Sequence, residues 1–314
     1  MIDINTASNN DLDAQIVRID RRQVGALDYK AFLDLNIPPR QCLLAPLLPK
    51  AGLAMIHAPR GVGKTHIGLG IAWAVANGTG FLRWKVPADV GAHRVLVLDG
   101  EMPGALLQDR LRRVTGASEC APPMPDYLRI AAADLRRDGL PDLADQNSQP
   151  FYADVVGDAD LIIVDNLSTL CRGLKENEAD SWTPVQNWLL AQRRVGKSVL
   201  VIHHGGKSGQ QRGTSRKEDV LDTVLALRKP PDYQADQGAR FEIHFEKARG
   251  FYGPEAEPFE VRLVGEQWQE SEIKSGDDLD TLNSLRKQGF SVRDIADRTG
   301  LSKSTVARKL GADE

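Results

Sequence analysis

GLAMIHAPRGVGKTHIGLGIAWAVAN, residues 52–77, is the stretch that decides the fold. Its opening, Gly52 to Ala58, is a short apolar run that reads as a buried strand ending in a glycine-containing loop. Its end, THIGLGIAWAVAN, is thirteen residues apolar on nearly all sides, as a helix packed against a sheet should be. Between them, APRGVGKT (58–65) fits the Walker A pattern except that alanine replaces the first glycine. Such a loop must wrap a polyanion with successive backbone N–H groups at the positive end of a helix. The expected contacts run from Ala58, Pro59 and Arg60 through Gly61, Val62 and Gly63 to His66. Lys64 is the phosphate ligand and Thr65 the magnesium ligand, which implies ATP and Mg²⁺ as cofactors. Gly61 and Gly63 let the backbone approach the phosphates without an intervening side chain. A glycine-rich turn that merely starts a helix would leave Lys64 unexplained.

Working outward, strand and helix signals alternate, which predicts βαβ units and a mostly parallel sheet. RVLVLD (94–99) reads as a strand, and PGALLQDRLRRV (103–114) as an amphipathic helix with Leu106, Leu107, Leu111 and Val114 on one side. YLRIAAA (127–133) and LIIVDN (161–166) are strands, VQNWLLAQRRV (185–195) a helix, and SVLVIHH (198–204) the last parallel strand. DTVLALR, RFEIHFEKAR and PFEVRLV then follow with little helix between them, the pattern of antiparallel strands. QESEIKSGDDLD (269–280) reads as a polar linker.

The resulting division is an N-terminal arm over 1–39, in which only ALDYKAFLDL could form a short helix, an α/β domain over 40–269, a linker over 270–279 and a small all-α domain over 280–314. In that last part, residues 281–310 carry seven basic side chains against Asp294 and Asp297, a local charge of +5 in a chain whose net charge is −3. Cys42, Cys120 and Cys171 are odd in number and lack zinc-ligand spacing, so they are expected to be buried or incidental thiols. No apolar run reaches membrane-spanning length and MIDINTASNN lacks signal-peptide features, so a cytoplasmic protein without a membrane partner is expected.

Asp165 ends the most apolar strand, about 100 residues after the loop, where a carboxylate can grip Mg²⁺ as a Walker B aspartate does. With APRGVGKT, VLVLDGEMP, LIIVDN and VIHHGGK in this order, residues 40–265 resemble the RecA-like P-loop ATPases, most closely the plasmid RepA-type hexameric replicative helicases. The resemblance implies that Glu101, after the second strand, polarises the attacking water. It also implies that a polar residue at the end of the fifth strand, His203 or His204, senses the terminal phosphate; His204 is carried forward as the site residue. FEKARGFYG is similar to the Lys-x-Arg element these hexamers insert into the neighbouring site, which points to Arg249 as the finger with Lys247 beside it. Arg212 is the rival.

In RecA-like rings the loops after the Walker B and sensor strands face the channel. Here they are NLSTLCRGLKENEADSW and GGKSGQQRGTSR, the second offering Lys207, Arg212 and Arg216 to a single-stranded DNA backbone. The tail LRKQGFSVRDIADRTGLSKSTVARKL resembles a recombinase helix-turn-helix. VRDIADRT is its first helix of the pair, Gly300 supplies the turn, and Ser302 caps a recognition helix. Ser302, Lys303, Ser304 and Arg308 would then face the major groove or its phosphates. The combined expectation is an ATP-dependent DNA helicase or translocase acting as a homo-oligomeric ring, a hexamer. The alternative is an ATP-regulated DNA-binding protein that does not unwind.

Overall fold

The computed structural model describes residues 26–173, 179–205, 218–273 and 279–311. The chain forms two compact units, residues 1–41 and 42–314. In the first, helix α1 spans only Tyr29–Leu33, half the expected ALDYKAFLDL, and buries no residue. Asp28 caps it, its carboxylate accepting from the Lys30 and Ala31 amides at 2.9 Å. Without a buried face, so short a helix has little beyond its cap to sustain it.

Regular structure in the second unit begins earlier than Gly52, with the antiparallel pair β1 (Cys42–Leu44) and β2 (Leu48–Pro49). The central strand β3 (Leu53–Ala58) is wholly buried and leads through the glycine loop into α2 (Lys64–Asn77). The small pair β4 (Gly80–Phe81) and β5 (Trp84–Lys85) follows. Then come β6 (Val95–Asp99), α3 (Gly104–Gly116), β7 (Leu128–Ala132), α4 (Gln149–Val156) and β8 (Leu161–Asp165). After these lie α5 (Leu167–Leu170), α6 (Thr183–Arg194) and β9 (Ser198–His204). Four more strands complete the sheet: β10 (Thr223–Arg228), β11 (Arg240–Ala248), β12 (Phe259–Val264) and β13 (Gln267–Glu272).

Among the described residues the main sheet has nine strands in the order β13-β12-β11-β10-β3-β9-β8-β6-β7. It is parallel from β7 to β10 and antiparallel from β11 to β13. Two sequence expectations shift here. DTVLALR joins both sets: it pairs antiparallel with β11 but also parallel with β3, Thr223 opposite Ala54, so SVLVIHH is not the last parallel strand. The polar linker expected from residue 270 is still β13 as far as Glu272. β13 is the last strand of the sheet, mostly exposed and charged, and an edge needs no alternating apolar pattern.

Because side chains alternate along a strand, each parallel strand feeds two cores. Ala54, Ile56, Val97, Ile163, Leu200 and Ile202 pack on one face, with α2. Leu53, Met55, Leu96, Ile162, Val164 and Val201 pack on the other, with Tyr152, Trp182 and Trp188. Each fully buried aliphatic side chain contributes roughly 1.5–3 kcal/mol of transfer free energy, so both layers hold the sheet. On α3, Leu107, Leu111 and Val114 share the packed face, at i, i+4 and i+7. Leu106 was expected with them, but one residue is a 100° turn, and it lies 53% exposed. The segment after β8, expected as a channel loop, starts instead as α5, with Leu167, Leu170 and Cys171 buried.

The tail folds into α7 (Leu279–Lys287), α8 (Val292–Thr299) and α9 (Lys303–Leu310) around Leu282, Leu285, Ile295, Ala296 and Val306. Ser291 and Asp294 form a capping box on α8, and Gly300 ends that helix with φ 71°. Ser302 caps α9, its hydroxyl accepting from the Thr305 amide at 3.1 Å. The tail rests on the β10–β11 connection: Gln288 Nε2 donates to the Asp232 carbonyl and Arg298 Nη1 to that of Pro231, both at 3.3 Å. No helix among the described residues is long and apolar enough to cross a membrane.

Candidate active site

The alternation that builds the two cores also selects the site. Positions 95, 97 and 99 of β6, 161, 163 and 165 of β8, and 200, 202 and 204 of β9 all face α2. Asp99, Asp165 and His204 therefore emerge on one side at the carboxyl ends of neighbouring strands, with Asp99 directly opposite Asp165. His203 takes the opposite parity. A cavity of about 430 Å³ opens there, lined by Arg60, Lys64, Thr65, Glu101, Asp165 and His204. Arg110 of α3 and the exposed Leu106 complete its outer wall.

The glycine loop owes its shape to backbone conformation. Gly61 has φ 75° and Gly63 φ 122°, a region L side chains rarely adopt. A Cβ on Gly63 would also lie 2.9 Å from the Phe241 ring. Lys64 is buried, and its ammonium donates to the carbonyls of Ala58 at 3.0 Å and Pro59 at 2.9 Å. Burial pulls its pKa down to about 8, although Asp165 and Glu101 act to raise it. Burial pushes Asp165 up to about 6, reinforced by Asp99 and Glu101 and opposed by a hydrogen bond from Thr65 and by Lys64. The site thus holds a cation and an anion that burial disfavours in their charged forms, and a ligand bringing polyphosphate and a cation would relieve both.

Glu101 is aimed by two partners. The Asn166 side-chain amide donates to its carboxylate, and His204 Nε2 lies 3.2 Å from the same Oε2 oxygen. Asn166 Nδ2 is also 3.1 Å from His204 Nε2, so the three side chains form a closed cluster. Burial, with Lys64 nearby, lowers the His204 pKa and keeps the imidazole neutral at pH 7. The turn carrying Glu101 is fixed by Asp99, whose Oδ1 accepts from the Glu101 amide at 3.2 Å and the Met102 amide at 2.8 Å. Its other oxygen, Oδ2, is buried with no hydrogen-bond partner.

These donors suit a hard cation. Carboxylate and hydroxyl oxygens from Asp165 and Thr65, with the orphaned oxygen of Asp99 behind them, match the oxygen preference of Mg²⁺. Among the described residues no group of three His, Cys, Asp or Glu forms a metal cage. Mg²⁺ is ordinarily held by one or two carboxylates together with phosphates and water, so the donor set fits it.

The structure brings together Lys64, Thr65, His66, Glu101, Asp165 and His204. It does not bring Lys247 or Arg249 to this cavity. Lys247 Nζ donates to the Glu218 carbonyl, and Arg249 Nη2 donates to that of Asp219 at 3.1 Å. The Arg249 amide is held by the Asp222 carbonyl at 2.8 Å. Lys207, Arg212 and Arg216 lie outside the described residues. Ser302, Lys303, Ser304 and Arg308 are all exposed on α9. Sequence reasoning missed Asp99, Asn166 and Arg110 as members of the site; strand parity would have found Asp99, which shares its face with Asp165.

The glycine loop leading into α2 and the acidic strand ends beside it define an α/β P-loop ATPase. Residues 20–210 match the AAA domain family, and the chain belongs to that family. Residues 272–313 match the helix-turn-helix domain of resolvase. No curated protein matches the chain. An AAA domain joined to a resolvase-type helix-turn-helix makes this a DNA-associated ATPase.

Proposed function

We propose that this ATPase is a DNA helicase or translocase of the RepA type, serving DNA replication of a plasmid, phage or integrated mobile element as a hexameric ring. The observation that carries the reading is Glu101 held by Asn166 and His204 beside Lys64 and Asp165. In this reading the loop amides and Lys64 bind the β- and γ-phosphates of ATP. Thr65 and Asp165 would hold Mg²⁺, which when bound neutralises charge developing on the transferring phosphoryl group. Glu101 orients water and accepts its proton, and neutral His204, touching Glu101 at the end of β9, reports loss of the γ-phosphate to the segment that follows. Arg249 of one subunit reaches the site of the next, with Lys247 beside it. The backbone hold on Arg249 at Asp222 supports a fixed presentation of that guanidinium.

Lys207, Arg212 and Arg216 would follow single-stranded DNA in the channel, while Ser302, Lys303, Ser304 and Arg308 grip a duplex. A forked duplex tests this: ATP-dependent strand separation by the wild type, absent in Lys64→Ala, is expected. The exposed recognition helix favours a second reading, in which ATP governs site-specific duplex binding without unwinding. Sequence-selective retention of duplex with no strand separation would establish that reading and remove the first.

A further inference from the structure

His57 is wholly buried and plays no part in the chemistry above. It shares its parity with Leu53 and Met55, so its ring faces away from α2 and the phosphate pocket. A buried imidazole needs a polar partner, and His57 Nε2 donates to Glu246 Oε2 at 2.7 Å, reaching from β3 across β10 to β11. A small side chain, Ala226, stands opposite His57 on the intervening strand. The other ring nitrogen, Nδ1, is buried with no hydrogen-bond partner, so Glu246 is the contact that fixes the ring.

Glu246 is the extra residue of a β-bulge. Val224 lies opposite Lys247 and Leu225 opposite Phe245, which leaves residue 246 with no residue facing it. The bulge decides which way the following side chains point. Phe245 packs on the α2 face, so strict alternation would send Lys247 and Arg249 to that face as well. Instead Lys247 stands opposite Val224, which packs in the other layer. Both basic side chains then reach the carbonyls of one segment, Lys247 at Glu218 and Arg249 at Asp219.

The bulge is held from two sides. Glu246 Oε1 also accepts from Arg228 Nη2 at 3.0 Å. Burial acts to raise the Glu246 pKa, but the hydrogen bonds and charges of His57 and Arg228 outweigh it and hold the carboxyl below its ordinary value, ionised at pH 7. On the other side, His57 adjoins Ala58, whose carbonyl accepts from the Lys64 ammonium at 3.0 Å and from the Gly205 amide at 2.8 Å. One hydrogen bond therefore joins the root of the glycine loop to the bulge that aims Arg249.

We propose that His57 and Glu246 are positioning residues: their hydrogen bond pins the bulge and so fixes Lys247 and Arg249 for the active site of a neighbouring subunit. The inference rests on reading Arg249 as the arginine supplied between subunits. Loss of the pin slows hydrolysis in the neighbour and leaves the subunit's own site intact.

Turnover and analogue binding by the full-length protein with Mg²⁺ test it. Glu246→Ala should lower kcat by roughly tenfold to a hundredfold, the cost of a misplaced catalytic group, with affinity for a non-hydrolysable ATP analogue unchanged. Glu246→Gln keeps an acceptor for the His57 N–H and should recover most of that loss. Mixing then separates an effect on the neighbour from one within the subunit. Glu101→Gln subunits lack the group that activates water but keep an intact bulge, so an excess of them should raise the rate per Glu246→Ala subunit severalfold. Arg249→Ala subunits, mixed in the same way, are the control for the shared site. A gain by Arg249→Ala without one by Glu246→Ala, or a Glu246→Ala protein that turns over like wild type, would overturn the inference. No gain by either, although mixed rings form, would instead remove the shared site beneath it. Should the alanine protein fail to bind the analogue, Glu246→Asp, which keeps the charge but falls one methylene short of His57, carries the same expectations.

Discussion

The phosphate pocket and the helical tail solve opposite problems. In the pocket, function and stability conflict: Lys64 and Asp165 are buried charges whose pKa values have moved to about 8 and about 6, each toward its neutral form. In the tail they are separated, with five buried side chains holding the fold and the residues proposed to contact DNA, Ser302, Lys303, Ser304 and Arg308, left on the surface. An active site that needs buried charge lowers the stability of its own domain, whereas a docking helix can be changed at its working face with little loss of fold.

Five experiments would break or sharpen this contrast. Lys64→Ala should lower ATP turnover by at least about a thousandfold, since the ammonium is the site's main charge on the phosphates. Retained turnover would remove the P-loop assignment. Arg249→Ala should lower turnover on a similar scale without loss of nucleotide binding, and mixing it with Glu101→Gln subunits should restore part of the rate. Mixed rings that stay inactive would end the shared-site proposal.

Asp165→Asn tests the conflict directly. The folded-state pKa near 6 lies above the ordinary 3.8, so the carboxyl's contribution is fully present below pH 3.8 and lost as pH rises through 6. The shift corresponds to about 3 kcal/mol at pH 7. The variant should therefore melt roughly 5 °C higher than wild type in nucleotide-free buffer at pH 7, and hydrolyse no ATP. Equal melting temperatures at pH 7 would show that the buried carboxylate is not a destabilising element.

In the tail the order reverses. Lys303→Ala and Arg308→Ala should each weaken duplex binding several-fold and flatten its salt dependence, with thermal stability unchanged. Val306→Ala should instead cost roughly 1–3 kcal/mol of tail stability and abolish duplex binding while basal ATPase persists. A Val306→Ala protein that binds DNA normally would mean that the three-helix core does not set the reading surface.

Much of this was legible in the residues. The run from Gly52 to Asn77 announces strand, loop and helix, because the glycine requirement, the lysine and the change from strand to helix periodicity coincide within a few positions. Val292–Thr299 and Lys303–Leu310 fall where serine caps and Gly300 predict. His204 and Asp99 were legible in principle, since parity along an all-apolar strand assigns them to the face of Leu200 and Val97. Arg110 was not, because a basic residue on an amphipathic helix looks the same whether it meets solvent or a pocket. β13 was missed because an edge strand can be polar at all but one position, here Trp268.

The doubled histidine at the end of β9 gives the chain a form of redundancy. Every residue from Val199 to Ile202 is apolar and both faces of the strand are buried, so either set of side chains could meet either core. A one-residue slip of this strand toward its carboxyl end would exchange the two sets, yet it would still deliver an imidazole to Glu101, from His203 instead of His204. A single-residue insertion upstream would therefore leave an imidazole against Glu101, whereas a deletion would bring Gly205 to that place.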